Sequence, residues 1–165
     1  MRVIKLGLIS VIFFAIFLTF FSFLFPSHIR ISKATDITTI KDILLVQLNE
    51  PANWKKWFPG SDSATLHIVN GKTDGITTKD GKDLMLIKVS DSLIIANYKI
   101  AGRRTTETGW NIFEASTPGA FTVQWYMDIH LRWYPWEKFS GLLMEKRYGP
   151  MMEQGLQNLK KLLEK

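Results

Sequence analysis

The 165-residue sequence contains no cysteine, which excludes disulfides, thiolate chemistry and attachment of a lipid through a lipobox. Stability must therefore come from an apolar core. The three histidines, His28, His67 and His130, stand far apart, with no second histidine or carboxylate at ligand spacing, so no metal motif is present. A glycine-rich phosphate loop, a nucleophile elbow and a paired-carboxylate motif are also missing. No catalytic residue, metal or cofactor is assigned on these grounds. Asp128 and His130 do share a strand face two residues apart, but that face is polar and expected to be solvated. The net charge of +6 is scattered. Without a basic stripe carrying base-stacking aromatics, nucleic acid is not an expected partner. A mild attraction to anionic headgroups is the more economical use of that sign.

What the sequence has in excess lies at its start. Leu6 to Phe25 carries no charged residue, and a run of about 20 such residues matches the roughly 30 Å of hydrocarbon in a bilayer. The exit, Phe23-Leu24-Phe25-Pro26, is bulky where a cleaved signal peptide would be small. Residues 1–26 are expected to be an uncleaved transmembrane signal-anchor, crossing once through residues 6–25, with a folded domain over 27–165. Arg2 and Lys5 favour a cytoplasmic amino terminus and hence an extracytoplasmic domain, although Arg30, Lys33 and Lys41 count on the other side.

After the apolar run, Ile29 to Ala34 alternates as a first strand. Asp36 suits the cap of a helix through Ile37, Ile40, Ile43, Leu44, Gln47 and Leu48, which Pro51 ends. A short Trp54-Trp57 segment closes at Pro59-Gly60. The period then changes to two. Asn70-Gly71, Asp80-Gly81, Ser90-Asp91-Ser92, Ala101-Gly102-Arg103 and Thr117-Pro118-Gly119 divide the strands Ala64–Val69, Lys72–Thr78, Leu84–Val89, Leu93–Ile100, Thr105–Glu114 and Ala120–Leu131. Short loops between consecutive strands predict an antiparallel meander. Phe121, Val123, Trp125, Met127, Ile129 and Leu131 share one face of the last strand, and Ile94, Ala96, Tyr98 and Ile100 share one face of an earlier one. A final amphipathic helix is expected from Pro150, presenting Met151, Met152, Gly155, Leu156, Leu159, Leu162 and Leu163 on one side. A sheet with one apolar face, two short helices and one long helix is an α+β sandwich.

Three segments carry a resemblance. Trp54-Lys55-Lys56-Trp57-Phe58-Pro59, Phe121-Thr122-Val123-Gln124-Trp125, and Gly149-Pro150 followed by Gly155-Leu156-Gln157-Asn158-Leu159-Lys160 occur in that order. Over residues 28–165 the chain resembles the helix-grip fold of the SRPBCC superfamily, the START-like and polyketide-cyclase-like proteins. The resemblance implies a curved antiparallel sheet of about seven strands around the long C-terminal helix, with a deep apolar cavity between them. Its walls would be Trp57, Met85, Tyr98, Trp110, Val123, Trp125, Met127, Met152, Gly155, Leu156 and Leu159. Methionine walls adapt to irregular ligands, and an indole N–H can orient one. Gly155, costly in mid-helix, implies a close approach by the sheet or by a ligand. Arg132-Trp133-Tyr134-Pro135-Trp136-Glu137-Lys138-Phe139 mixes aromatic and basic residues, as at a bilayer interface or a cavity mouth.

These readings converge on membrane-anchored binding of a hydrophobic or amphipathic, lipid-like small molecule. A cyclase- or hydratase-like enzyme would use the same cavity and would need a buried polar pair, such as His67 or Glu114 beside Tyr98 or Trp110. A protein-interaction module would have a closed interior and an apolar outer face.

Overall fold

A computed structural model describes residues 2–164 of the chain. The apolar run forms helix α1 (Arg2–Ser22), followed by strand β1 (His28–Thr38), helices α2 (Lys41–Asn49) and α3 (Pro51–Trp54), and strands β2 (Thr65–Val69), β3 (Lys72–Thr77), β4 (Lys82–Val89), β5 (Leu93–Ile100), β6 (Thr106–Glu114) and β7 (Ala120–His130). Helices α4 (Pro135–Gly141) and α5 (Met144–Leu163) close the chain. The strands make one antiparallel sheet in the order β1-β7-β6-β5-β4-β3-β2. The meander thus ends by pairing its longest strand with the first, Ile31 opposite Met127 and Thr35 opposite Val123. This is the α+β helix-grip fold, with α5 lying across the apolar face of a seven-stranded sheet.

Local chemistry accounts for most of these boundaries. Asn70 and Gly71 both take positive φ, 52° and 77°, as a tight hairpin between β2 and β3 requires. The inward residues of β7, Val123, Trp125 and Met127, are buried, as are Ile94, Ala96 and Tyr98 of β5 and Trp110 and Ile112 of β6.

Two helix starts differ from the sequence expectation. Asp36 does not cap a helix: β1 runs through it to Thr38, its carboxylate accepts a hydrogen bond from Thr122 Oγ1 at 2.6 Å, and its carbonyl accepts one from Lys160 Nζ at 2.8 Å. Pairing with β7 outcompetes the cap, and α2 begins at Lys41. Likewise α5 begins at Met144, six residues before Pro150, which sits inside the helix. Proline removes one helical hydrogen bond, but Lys33 of β1 straddles it, holding Glu145 at 2.7 Å and Glu153 at 2.8 Å. Gly149 lets that lysine through, because a Cβ there would lie 3.2 Å from Lys33 Cε. These two carboxylates raise the Lys33 pKa, Glu145 foremost. Asp128 also departs from expectation. It is 6 % exposed rather than solvated, since Arg30 on the paired strand covers it.

A candidate ligand cleft

The centre of the grip is filled by indoles. Helix α3 and the turn after it place Trp54 and Trp57 in the core, with their N–H groups donating to the α2 carbonyls of Leu48 at 2.9 Å and Gln47 at 3.2 Å. The sheet answers with Trp110 and Trp125. The Trp110 ring lies 5.6 Å from Trp54, 5.7 Å from Trp57 and 5.6 Å from Trp125, and all four side chains are buried. Trp125 Nε1 donates to Thr108 Oγ1 at 2.7 Å, which donates on to the carbonyl of Tyr126 at 2.8 Å. Trp110 Nε1 is buried without an acceptor. Gly155 of α5 seats directly on this cluster, since a Cβ there would come within 2.5 Å of Trp125 Cζ3 and 3.0 Å of Pro59 Cδ. The close approach that the glycine implied is therefore made by the sheet.

Space opens at the other end of the same helix and sheet. A cleft of about 590 Å³ lies between the ends of β5, β6 and β7 and helices α4 and α5. Ile100, Ile129, Leu131 and Met144 give it apolar walls, while Arg103, Arg104, Arg132 and His130 stand around it. The Tyr98 and Tyr148 rings meet at right angles, 6.5 Å apart, on its floor. Burial first, and then the neighbouring Tyr148, push the Tyr98 phenol up to about 12, so it remains a neutral hydrogen-bonding group at neutral pH. Among the described residues, no ion pair engages Arg103 or Arg104, and Arg132 holds Glu137 only at 3.9 Å. The cleft thus combines an apolar wall with cations free to meet an anion.

The residues expected as cavity walls divide accordingly. Tyr98 lines the cleft. Trp57, Trp110, Val123, Trp125, Met127, Met152, Leu156 and Leu159 are packed together in the core with Gly155. Met85 points to the opposite face of the sheet, where it lines a shallow groove of about 230 Å³ with His67, Asp83, Asn97 and Lys99. His67 is accordingly separated by the sheet from Tyr98, and Glu114 is exposed. Sequence reasoning offered the segment of Arg132 as a cavity mouth but gave Arg103 and Arg104 no part in the site. The available signal was their position, with Arg103-Arg104 just beyond β5 and Arg132 just beyond β7, where each ends an inward-facing apolar row.

Outside the cleft, Asp128 anchors the same end of the sheet. Arg30 Nε and Nη2 donate to its two oxygens at 2.7 and 2.5 Å, and His28 Nε2 lies 3.2 Å away. Arg30 lowers the Asp128 pKa below the usual carboxylate range, chiefly through that hydrogen bond. Among the described residues, no three His, Asp or Glu side chains come together as a metal site.

Comparison with known proteins agrees with this architecture. A profile of the family described as polyketide cyclase/dehydrase and lipid transport matches residues 30–164. A START superfamily protein from Mycobacterium smegmatis is similar in structure, with a TM-score of 0.61 at 14 % identity over 82 % of this chain and 97 % of that one. CalU16 from Micromonospora echinospora gives 0.56 at 11 % identity over 81 % and 73 %. The di-domain ARO/CYC StfQ of the steffimycin biosynthetic pathway gives 0.60 at 11 % identity over 83 % of this chain and 51 % of that one. At these identities the likeness is one of fold. No curated protein matches the sequence.

Proposed function

Because the chain belongs to the polyketide cyclase/dehydrase and lipid transport family, we propose that it is a membrane-anchored binding protein for an amphipathic, lipid-like small molecule, held in the cleft between α4, α5 and the sheet. The observation that carries this reading is the cleft itself, with its apolar walls and unpaired Arg103 and Arg104 at one end. Burial of a chain against Ile100, Ile129, Leu131 and Met144 contributes about 25 cal/mol per Å² of apolar surface. The arginines orient a polar or anionic end. Residues 1–26 serve as the anchor and 27–165 as the binding domain. In support, α1 is long and apolar enough to cross a membrane, with its residues outside the domain core. The charges at Arg2 and Lys5 favour an extracytoplasmic domain. Protease accessibility in sealed vesicles tests that sidedness.

The enzyme reading is weaker because the buried polar pair it calls for is not assembled, His67 lying across the sheet from Tyr98 and Glu114 being exposed. A protein-interaction module predicts a closed interior, which an open cleft does not favour.

The test titrates full-length protein in amphipol with a fluorescent fatty acid and with its uncharged methyl ester. Saturable one-to-one binding that prefers the acid, and that Ile100→Trp abolishes by filling the cleft, is the expected result. Absence of a saturable component, or one indifferent to Ile100→Trp, would sink the proposal.

A further inference from the structure

The segment between β7 and α5 carries an exposed apolar surface that neither the core nor the cleft uses. Trp133, Trp136, Leu142 and Leu143 are 59 %, 68 %, 64 % and 65 % exposed. Their exposure is not a loop left loose. Trp133 leans on Tyr134 with centroids 4.8 Å apart, and Tyr134 stacks on Trp136 at 4.9 Å. Tyr134 precedes Pro135 at the first turn of α4, and Glu137 reaches back to the Arg132 N–H at 2.6 Å. Gly141 seats the far end of α4 tightly, since a Cβ there would lie 2.6 Å from Ile29 Cδ1 and 2.7 Å from Leu131 Cδ1. The aromatic row is therefore built outward from a fixed helix.

The surroundings identify what covers it. Helix α4 packs against the foot of α1. Phe139 meets Phe25 edge-on at 5.3 Å, continuing the row Phe17, Phe21, Phe25. Lys138, 4 % exposed, donates to the carbonyl of Phe25 at 3.0 Å and to Ser27 Oγ at 2.5 Å. If α1 crosses a bilayer, Phe25 and Ser27 stand where the hydrocarbon gives way to headgroups. A seven-residue helix is about 10 Å long, so every residue of α4 stands within about that distance of this point. Tryptophan and tyrosine are the side chains that favour a membrane interface, apolar in body and polar at one edge. Arg132, Lys146 and Arg147 flank the patch with the charge that anionic headgroups attract.

We infer that Trp133, Trp136, Leu142 and Leu143 rest in the headgroup layer of the membrane that holds α1, as a second, interfacial contact of the domain with lipid. The inference rests on the anchoring reading above and deepens it. Leu131, Arg132, Glu137 and Ser140 of the same segment line the cleft, so one wall of the binding site is in contact with the lipid from which an amphiphile is drawn.

The experiment places full-length protein in nanodiscs of phosphatidylcholine and phosphatidylglycerol and replaces the phosphatidylcholine by its analogue brominated at acyl carbons 6 and 7, a contact quencher of indole fluorescence. Quenching is expected in the wild type, and most of it should be lost in the Trp133→Phe/Trp136→Phe double variant, because Trp54, Trp57, Trp110 and Trp125 are buried in the domain. Thermal melting of the double variant should be unchanged, since both positions are exposed. Absence of quenching in the wild type, or equal quenching in the double variant, overturns the inference, and a patch covered by a second copy of the chain gives the first of these. Alkaline carbonate extraction separates the two readings. Protein that stays with the membrane but shows no quenching loses the interfacial contact alone, whereas protein that is extracted loses the anchor as well.

Discussion

Helix α5 covers two unlike halves of one sheet. Under Gly155 and Leu159 the space between helix and sheet is closed by four buried indoles, whereas under Met144 and Tyr148 it is a cleft. Both halves are lined by the inward rows of the same strands, so strand pattern does not distinguish them. What differs is the second helical layer. At one end α3 and the turn after it push Trp54 and Trp57 inward, and at the other α4 and the residues leading into it turn Trp136 and Trp133 outward. A helix-grip scaffold thus makes its cavity wherever the accessory helices decline to fill it.

The most damaging way to break this contrast is to empty the closed half. Trp110→Ala should destabilise the domain by about 3–5 kcal/mol in chemical denaturation, the range for truncating a buried aromatic side chain. A loss below about 1 kcal/mol would mean that the four-indole cluster is not the packed centre. Next in size is the clamp outside the cleft. Asp128→Asn should cost about 1–3 kcal/mol at neutral pH, because Arg30 loses a charge-assisted acceptor. The folded pKa of Asp128 lies below its unfolded value of about 3.9. Its contribution is therefore present in full above that value and lost as pH falls through the lowered folded value. The stability gap between wild type and variant should accordingly close in strong acid, and a gap that persists there would assign the stabilisation to packing.

Two smaller effects sharpen the comparison within the closed half. Trp125→Phe should cost about 1 kcal/mol more than Trp110→Phe, since the first removes a hydrogen bond to Thr108 and the second removes an N–H that has no acceptor. Equal costs in parallel urea titrations would refute that distinction. Gly155→Ala gains about 1 kcal/mol of helix propensity but overpacks against Trp125 at about 1–3 kcal/mol. A net loss on the order of 1 kcal/mol is expected in the same assay.

Much of this fold is legible in the sequence because its strands alternate cleanly and its turns carry glycine or asparagine where positive φ is needed. Residues Leu93–Ile100 form a strand with the expected bounds for that reason. The starts of α2 and α5 are not legible, because partners remote in sequence decide them. Thr122 and Lys160 claim Asp36, and Lys33 holds the turn across Pro150. Helix α4 is hidden by its length, too short to show a period. The cleft is the least legible feature. Tyr98 and Trp110 both face inward on neighbouring strands and read alike in the pattern, but Trp110, opposite Ile94, is enclosed by Trp54 and Trp57 from a segment more than forty residues earlier in the chain, whereas Tyr98, opposite Thr106, stands beside open space.

The Lys138 ammonium, buried between the carbonyl of Phe25 and the hydroxyl of Ser27, removes a freedom that tethered domains ordinarily possess. A domain on a slack leash tumbles and presents every face to the membrane in turn. Here the backbone leaving α1 is bolted to α4 and then enters the sheet, where Leu131 N–H donates to the Ser27 carbonyl at 2.7 Å, so rotation of the domain would have to turn the helix with it. Under the anchoring proposed above, domain and α1 would be steered as one piece, and a change in the tilt of that helix would be a change in the attitude of the cleft.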